Sequence, residues 1–240
     1  MSRRLTEAAL RVQPASFYYT LSYRGEKIGA AVSAIDTLPA ALIADEYYTG
    51  RFPLGDSLVP VTARLRSGLT RAFRLTTMAF EVSRNGAAAR ATATVQGDTT
   101  LLITDRLSAD SAATHVIALH SPVLPPALVA VALMLGDDAK VGRGERFVVF
   151  NPMDRKPEAH DVRIGRDSLF TVVDSADRKP DSTWAVAHSD TVRAWRVDGD
   201  TNGISAWVDR DGRVVQASTP SGLLLQRTAY ELAFERARRR

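Results

Sequence analysis

At 240 residues, with 45% hydrophobic and 24% charged side chains, the chain is long and apolar enough to bury a sizeable core, which excludes a disordered protein. Its net charge of +4, from Lys+Arg 31 against Asp+Glu 27, is spread over a mixed-sign surface, so no nucleic-acid partner is expected. The absence of cysteine excludes thiol nucleophiles, disulfides, Cys-ligated zinc and iron–sulfur clusters within the chain.

Residues 1–15 read as a helical or flexible N-terminal segment. Arg3 and Arg4 are followed by Thr6 and Glu7 where an export signal needs an apolar run of at least ~7 residues, so no signal peptide is visible. Residues 16–240 read as a single β-rich domain, with one candidate division near 121–140. From Ser16 to Ile35, Phe17, Tyr19, Leu21 and Tyr23 alternate with Tyr18, Thr20 and Ser22, and Gly25 breaks the run, which predicts a hairpin. Strands are expected at Leu42–Phe52, Ser57–Arg66, Leu69–Ser83, Ala88–Gln96 and Thr100–Thr104, with Asn85-Gly86 and Gly97-Asp98 as turns. A polar connector around Ser108–Ala113 then leads to a strand at His115–Leu119.

The run from Val123 to Leu135 is too short for the ~20 residues that span a bilayer. Pro125 and Pro126 near its start and Gly136 past its end predict instead a buried helix, PALVAVALML, apolar on nearly every side. Strand character resumes at Arg146–Phe150, Ala159–Ile164, Ser168–Val173 and Thr183–Ala187. From Val192 to Ala217, Trp195, Val197, Ile204, Ala206, Val208 and Val214 keep period-two spacing between Asp198-Gly199, Asn202-Gly203 and Asp211-Gly212, the pattern of a β-meander. Thr228 and Glu231 have capping-box spacing, so a terminal helix is expected to start there, with Tyr230, Ala233, Phe234 and Ala237 on its apolar face.

Chemistry is sparsely marked. Asp198, Asp200 and Asn202, with Gly203 and with Asp209 at the twelfth loop position, have the oxygen-ligand spacing of a calcium loop. Asp209 stands where a bidentate Glu is usual and the flanks look like strands, so the same residues also read as a hairpin loop. Calcium is thus a candidate ligand, and no other cofactor is expected. His115, His120, His160 and His188 are dispersed with no metal-binding spacing, no Ser lies in a nucleophile elbow, and no carboxylate is marked by an apolar setting that would raise its pKa. Of the adjacent tyrosines Tyr18, Tyr19, Tyr47 and Tyr48, each pair should put one ring in the core and one outside.

Three segments carry a resemblance: YYTLSYRGEKIGA near the start, LPPALVAVALML followed by VGRGERFVVFNPMD in the middle, and AWVDRDGRVVQASTPSGLLLQRTAYELA near the end. The pattern is similar to uncharacterised bacterial periplasmic domains that often precede transglutaminase-like domains, which in turn resemble the curved half-barrels of Lol-type lipoprotein carriers. The resemblance implies a mainly β fold: a curved antiparallel sheet, half-barrel or open barrel, around one buried central helix, with a C-terminal helix after it. It also implies a periplasmic or cell-envelope location and a concave apolar face able to hold an acyl chain. Leu128, Val131, Ala132 and Leu135, on the helix that would serve as plug or lid, are the candidate ligand contacts. No transglutaminase domain with its catalytic Cys follows, and no lipobox precedes.

Two functions fit these expectations. One is a non-enzymatic envelope domain that accommodates an apolar ligand or a lipidated partner, with peripheral membrane association in keeping with that role. The other is an assembly subunit docking onto a larger membrane-associated complex. A hydrolase ranks last, because no nucleophile, base or metal spacing announces itself.

Overall fold

A computed structural model describes residues 12–108, 111–135, 139–151, 154–199 and 205–235. The first eight strands form one antiparallel meander: β1 (Ala15–Tyr23), β2 (Glu26–Thr37), β3 (Ala41–Leu54), β4 (Ser57–Thr70), β5 (Leu75–Arg84), β6 (Ala87–Gln96), β7 (Thr100–Ser108) and β8 (Ser111–Ala118). Its tight turns follow from residue type. Arg24-Gly25 and Asn85-Gly86 both take positive φ at the two central positions, the type I′ geometry whose twist matches a hairpin.

The chain then crosses over through β9 (Val123–Leu124), a 3₁₀ turn (Pro126–Leu128) and helix α1 (Val129–Met134). A second meander follows: β10 (Gly144–Asn151), β11 (Lys156–Arg178), β12 (Trp184–Gly199), β13 (Ser205–Val208), β14 (Val214–Ser218) and β15 (Leu223–Thr228), with helix α2 (Tyr230–Phe234) at the end. β15 pairs antiparallel with β1, so both meanders belong to one fifteen-stranded sheet whose edges are β8 and β9. The short β9 runs parallel to β10. The expected curved sheet, buried central helix and C-terminal helix are thus all present. Neither helix is long and apolar enough to cross a membrane.

The sheet coils around α1. Leu128, Val131, Ala132, Leu133 and Met134 are buried against Ile35, Leu42 and Leu69 of the first meander and Phe147, Val162, Ile164 and Val208 of the second. A helix enclosed this way has no solvent face to serve, which explains a run with no polar residue. The sheet also closes on itself by packing: Met78, Ala93, Leu101 and Ile103 of β5–β7 form a second cluster with Leu119, Val123 and Phe150 from the crossover and β10.

Three expectations are corrected. Leu69–Ser83 is not one strand: β4 runs to Thr70, and Phe73, at φ 57°, turns the chain into β5. Ala159–Ile164 and Ser168–Val173 are parts of one 23-residue strand, β11, broken by a bulge. Ile164 faces Val197 and Asp167 faces Trp195, so β11 has one extra residue there. The insertion inverts alternation. Val162 and Ile164 point into the barrel, whereas Phe170 and Val172 join Ala194, Trp207 and Val215 in a separate cluster outside it. Finally, Thr228 does not cap α2. It is the last residue of β15, paired with Tyr18, and Ala229 holds the cap position without a side-chain bond. The helix is secured at its other end, where Lys27 Nζ donates to Leu232 O at 2.5 Å and Glu235 O at 3.1 Å.

Candidate functional site

Along β3, Leu42, Ala44, Glu46 and Tyr48 share the face that looks into the barrel, since a strand alternates sides. Leu42 and Ala44 are buried in the core, and Tyr48 packs with Tyr19, Leu21 and Ala31. Glu46 is therefore an acid inside the sheet. Its cross-strand neighbours are Ser33 on β2 and Leu65 on β4.

Glu46 lines a cavity of about 60 Å³ between the sheet and the plug, together with Tyr19, Ser33, Tyr48, Val131 and Arg213. The volume is room for a few waters or a small polar group, too little for an acyl chain. The Tyr48 hydroxyl donates to Glu46 Oε1 at 3.0 Å. Burial holds the Glu46 carboxyl up at about 7, only partly offset by that hydrogen bond. The negative charge of Glu46, with burial second, pushes Tyr48 well above its ordinary value, and desolvation pushes Tyr19 to about 12. Both phenols are thus neutral donors.

Beside the cavity lies a second polar group. Arg227 donates to Val214 O at 2.8 Å, Arg213 O at 2.9 Å and Asp209 Oδ2 at 2.9 Å, and its guanidinium stacks 4.1 Å from the centre of the Phe17 ring. The Tyr19 hydroxyl donates to Val214 O at 3.2 Å, and Arg213 Nη2 to Gln13 O at 3.0 Å. Gly212, at φ 76°, allows this turn to touch the helix: a Cβ there would come within 2.4 Å of Val131 Cα. The turn that carries Arg213 is therefore seated on the plug.

From the cavity outward, alanines recur along the inward face of the first meander. The register aligns Ala31, Tyr48, Ala63, Val82 and Ala89 in one row across β2–β6. Ala31 is buried, and the other four are half-buried. A more open hollow of about 200 Å³ lies elsewhere, lined by Leu75, Val95, Leu119 and Val123, with the exposed Arg74–Asp98 pair on its rim.

Of the four helix residues expected to contact a ligand, Leu128, Val131 and Ala132 are buried in the core and Leu135 is partly buried; Val131 alone lines the cavity. In the candidate calcium loop, Asp200 and Asn202 lie outside the described residues. Asp198 Oδ1 pairs with Arg196 Nε at 2.6 Å, and Asp209 accepts from Arg227 and from the Asp211 and Arg213 backbone amides. The expectation that no carboxylate sits in an apolar setting is overturned by Glu46. Ile43 and Tyr47, apolar residues on the outward face, hide the alternation that would have marked it. Each tyrosine pair does divide as expected, with Tyr19 and Tyr48 inside. At the surface, Asp174, His188 and Asp190 come together on the β11–β12 hairpin, all three exposed, with His188 Nδ1 3.1 Å from Asp174 Oδ2.

No protein-family model and no curated protein matches this chain. Among solved structures, it is similar to the β-barrel-like protein of domain of unknown function DUF1849 from Brucella abortus, at 11% identity and a TM-score of 0.55, covering 90% of this chain and 95% of that one. A DUF1089 family protein from Pseudomonas aeruginosa aligns at 12% identity and a TM-score of 0.41, over 80% of this chain and 90% of that one. The first likeness establishes a β-barrel-like fold over nearly the whole length of both chains.

Proposed function

We propose that this protein is a non-enzymatic binding domain of the cell envelope, and that its concave sheet face accommodates an apolar ligand or the lipid of a lipidated partner. The observation that carries the reading is the row Ala31–Tyr48–Ala63–Val82–Ala89. Three of its five residues are alanine, and four of the five are only half-buried, so apolar surface is left over that a chain could cover. The plug supports the row as structure, with Leu128 and Ala132 as core and Val131 as the point where the helix meets the cavity. The envelope location rests on the sequence resemblance.

An assembly subunit is the second reading, and one observation favours it. The edge strand β8, SAATHVIA, pairs only with β7 among the described residues, leaves Val116 67% exposed and carries none of the Lys or Pro residues that commonly blunt an edge. Such an edge suits strand addition by an extended segment of a partner protein.

Native mass spectrometry of protein gently purified from a bacterial host, followed by lipid extraction, separates the two. A bound acyl species at near-stoichiometric occupancy supports the carrier reading. A clean apo mass overturns it in favour of the assembly subunit.

A further inference from the structure

The cavity beside Glu46 has an unbalanced hydrogen-bond inventory. Each phenol that lines it has committed its only proton: Tyr48 to Glu46 Oε1, Tyr19 to Val214 O. What these groups have left is lone pairs. Glu46 Oε2 accepts no hydrogen bond among the described residues, and both phenol oxygens keep acceptor capacity. The one cation on the wall, Arg213, donates to Gln13 O, and Asp209 lies against it. No ion pair joins Glu46 to Arg213 or to Arg227 among the described residues. The acid thus faces the cavity without a cation of its own.

We propose that this cavity recognises the ammonium group of a primary amine carried on an apolar chain, with Glu46 Oε2 as counter-ion and the Tyr19 and Tyr48 oxygens as further acceptors. The inference rests on the apolar-ligand reading and names the head group that the ligand presents. Size agrees: about 60 Å³ admits an ammonium and its adjoining methylene, while the rest of the ligand's chain lies along Ala63, Val82 and Ala89, half-buried residues outside the cavity. An alcohol can supply one donor but no charge. A carboxylate brings only acceptors and a second negative charge to a wall that already has both, so the site selects against it.

The groups that face Glu46 are Tyr48 on its own strand, Ser33 on β2, Tyr19 on β1 and Arg213 on the β13–β14 turn, while Asp45, on the outward face and paired with Arg64, acts on it through its charge alone. The carboxyl is the one that titrates near neutrality, so ammonium binding should tighten as pH rises from 6 to 8 while binding of a neutral head group should not. No covalent step is involved.

The test is calorimetric titration of the full chain with dodecylamine, dodecanol and dodecanoate, each below its micelle concentration, at pH 6 and pH 8. The expected order at pH 8 is amine, then alcohol, then carboxylate, with the amine favoured over the alcohol by about tenfold, the scale of one charge-assisted hydrogen bond in a buried site. Glu46→Gln, which preserves the Tyr48 bond, should erase that preference and its pH dependence while alcohol binding persists. Equal binding of amine and alcohol, tighter binding of the carboxylate, or a preference unchanged in Glu46→Gln would overturn the head-group assignment alone. Failure of all three probes to bind would overturn the apolar-ligand reading with it. The wild-type pH profile keeps the test decisive if the variant folds poorly.

Discussion

The Tyr48 hydroxyl and the Glu46 carboxylate, two positions apart on one strand, meet at 3.0 Å inside a barrel whose other inward residues on that strand are apolar. The pair has a consequence for stability. Glu46 is held at about 7 against an ordinary 4.5, so the folded protein keeps a proton that the unfolded chain gives up at lower pH. Where the native state binds more protons, stability falls as pH rises. The loss should accumulate between about pH 4.5 and pH 7 and reach at most about 3 kcal/mol, from the linkage relation. In urea unfolding, Glu46→Gln should match the wild type at pH 5 and exceed it at pH 8. Parallel behaviour at both values would show that this carboxyl is not the buried group described here.

Arg227 predicts the opposite kind of result. Its side chain is 8% exposed and its partner Asp209 14%, and three of its hydrogen bonds end on Asp209 and two backbone carbonyls. Arg227→Met would leave the buried Asp209 carboxylate without its cation and Arg213 O without its side-chain donor, while Val214 O keeps the Tyr19 hydroxyl, at a cost of about 3–5 kcal/mol. Arg227→Lys should recover little, because an ammonium cannot present the planar fork or stack on Phe17. Asp209→Asn in the Arg227→Met background should regain part of the loss by removing the stranded charge. A midpoint unchanged by Arg227→Met would mean the network is solvated.

Much of this architecture was written in period-two spacing, and where that spacing failed the reason is local. Trp195, Val197, Ala206 and Val208 alternate and do pair across β12 and β13. The bulge after Ile164 was invisible because Gly165-Arg166 reads equally well as a loop between two strands. Glu46 was hidden by Ile43 and Tyr47, which make both faces of β3 look apolar. Asp209 stood out as a candidate calcium ligand, whereas its partner Arg227, 18 residues on, has no sequence mark of burial. Register, set by the whole sheet, is what brings such residues together.

Gly212 tests the contact between turn and plug. At φ 76° a side chain is strained, and an added Cβ would meet Val131 Cα at 2.4 Å and Ala130 O at 2.6 Å, backbone atoms that cannot rotate away. Gly212→Ala should therefore displace α1 or the turn and cost about 3 kcal/mol or more, combining backbone strain with overpacking. Amide exchange across residues 129–134 should quicken in the variant. Exchange and midpoint both at wild-type values would separate the turn from the helix.

The seam between the two meanders reverses the logic of Arg227, because here only one partner is buried. Asp105 on β7 is 4% exposed; Arg155, in the β10–β11 turn, is 3.0 Å from its Oδ2 and 44% exposed, and His115 on β8 is 3.3 Å away and 50% exposed. Neither contact is aligned as a hydrogen bond to Oδ2. Removing the acid strands no buried charge, since Arg155 and His115 already reach water. Replacing a buried ionic partner by an apolar side chain of similar volume is often neutral or favourable, because the charge no longer has to leave water on folding. Asp105→Leu, two positions from Ile103 of the β5–β7 cluster, should leave the thermal midpoint unchanged or raise it, whereas Arg155→Met, which leaves the buried Asp105 with His115 as its one remaining partner among the described residues, should lower it. A large loss in Asp105→Leu would mean that this ion pair, rather than packing of Leu119, Val123 and Phe150, holds the seam closed.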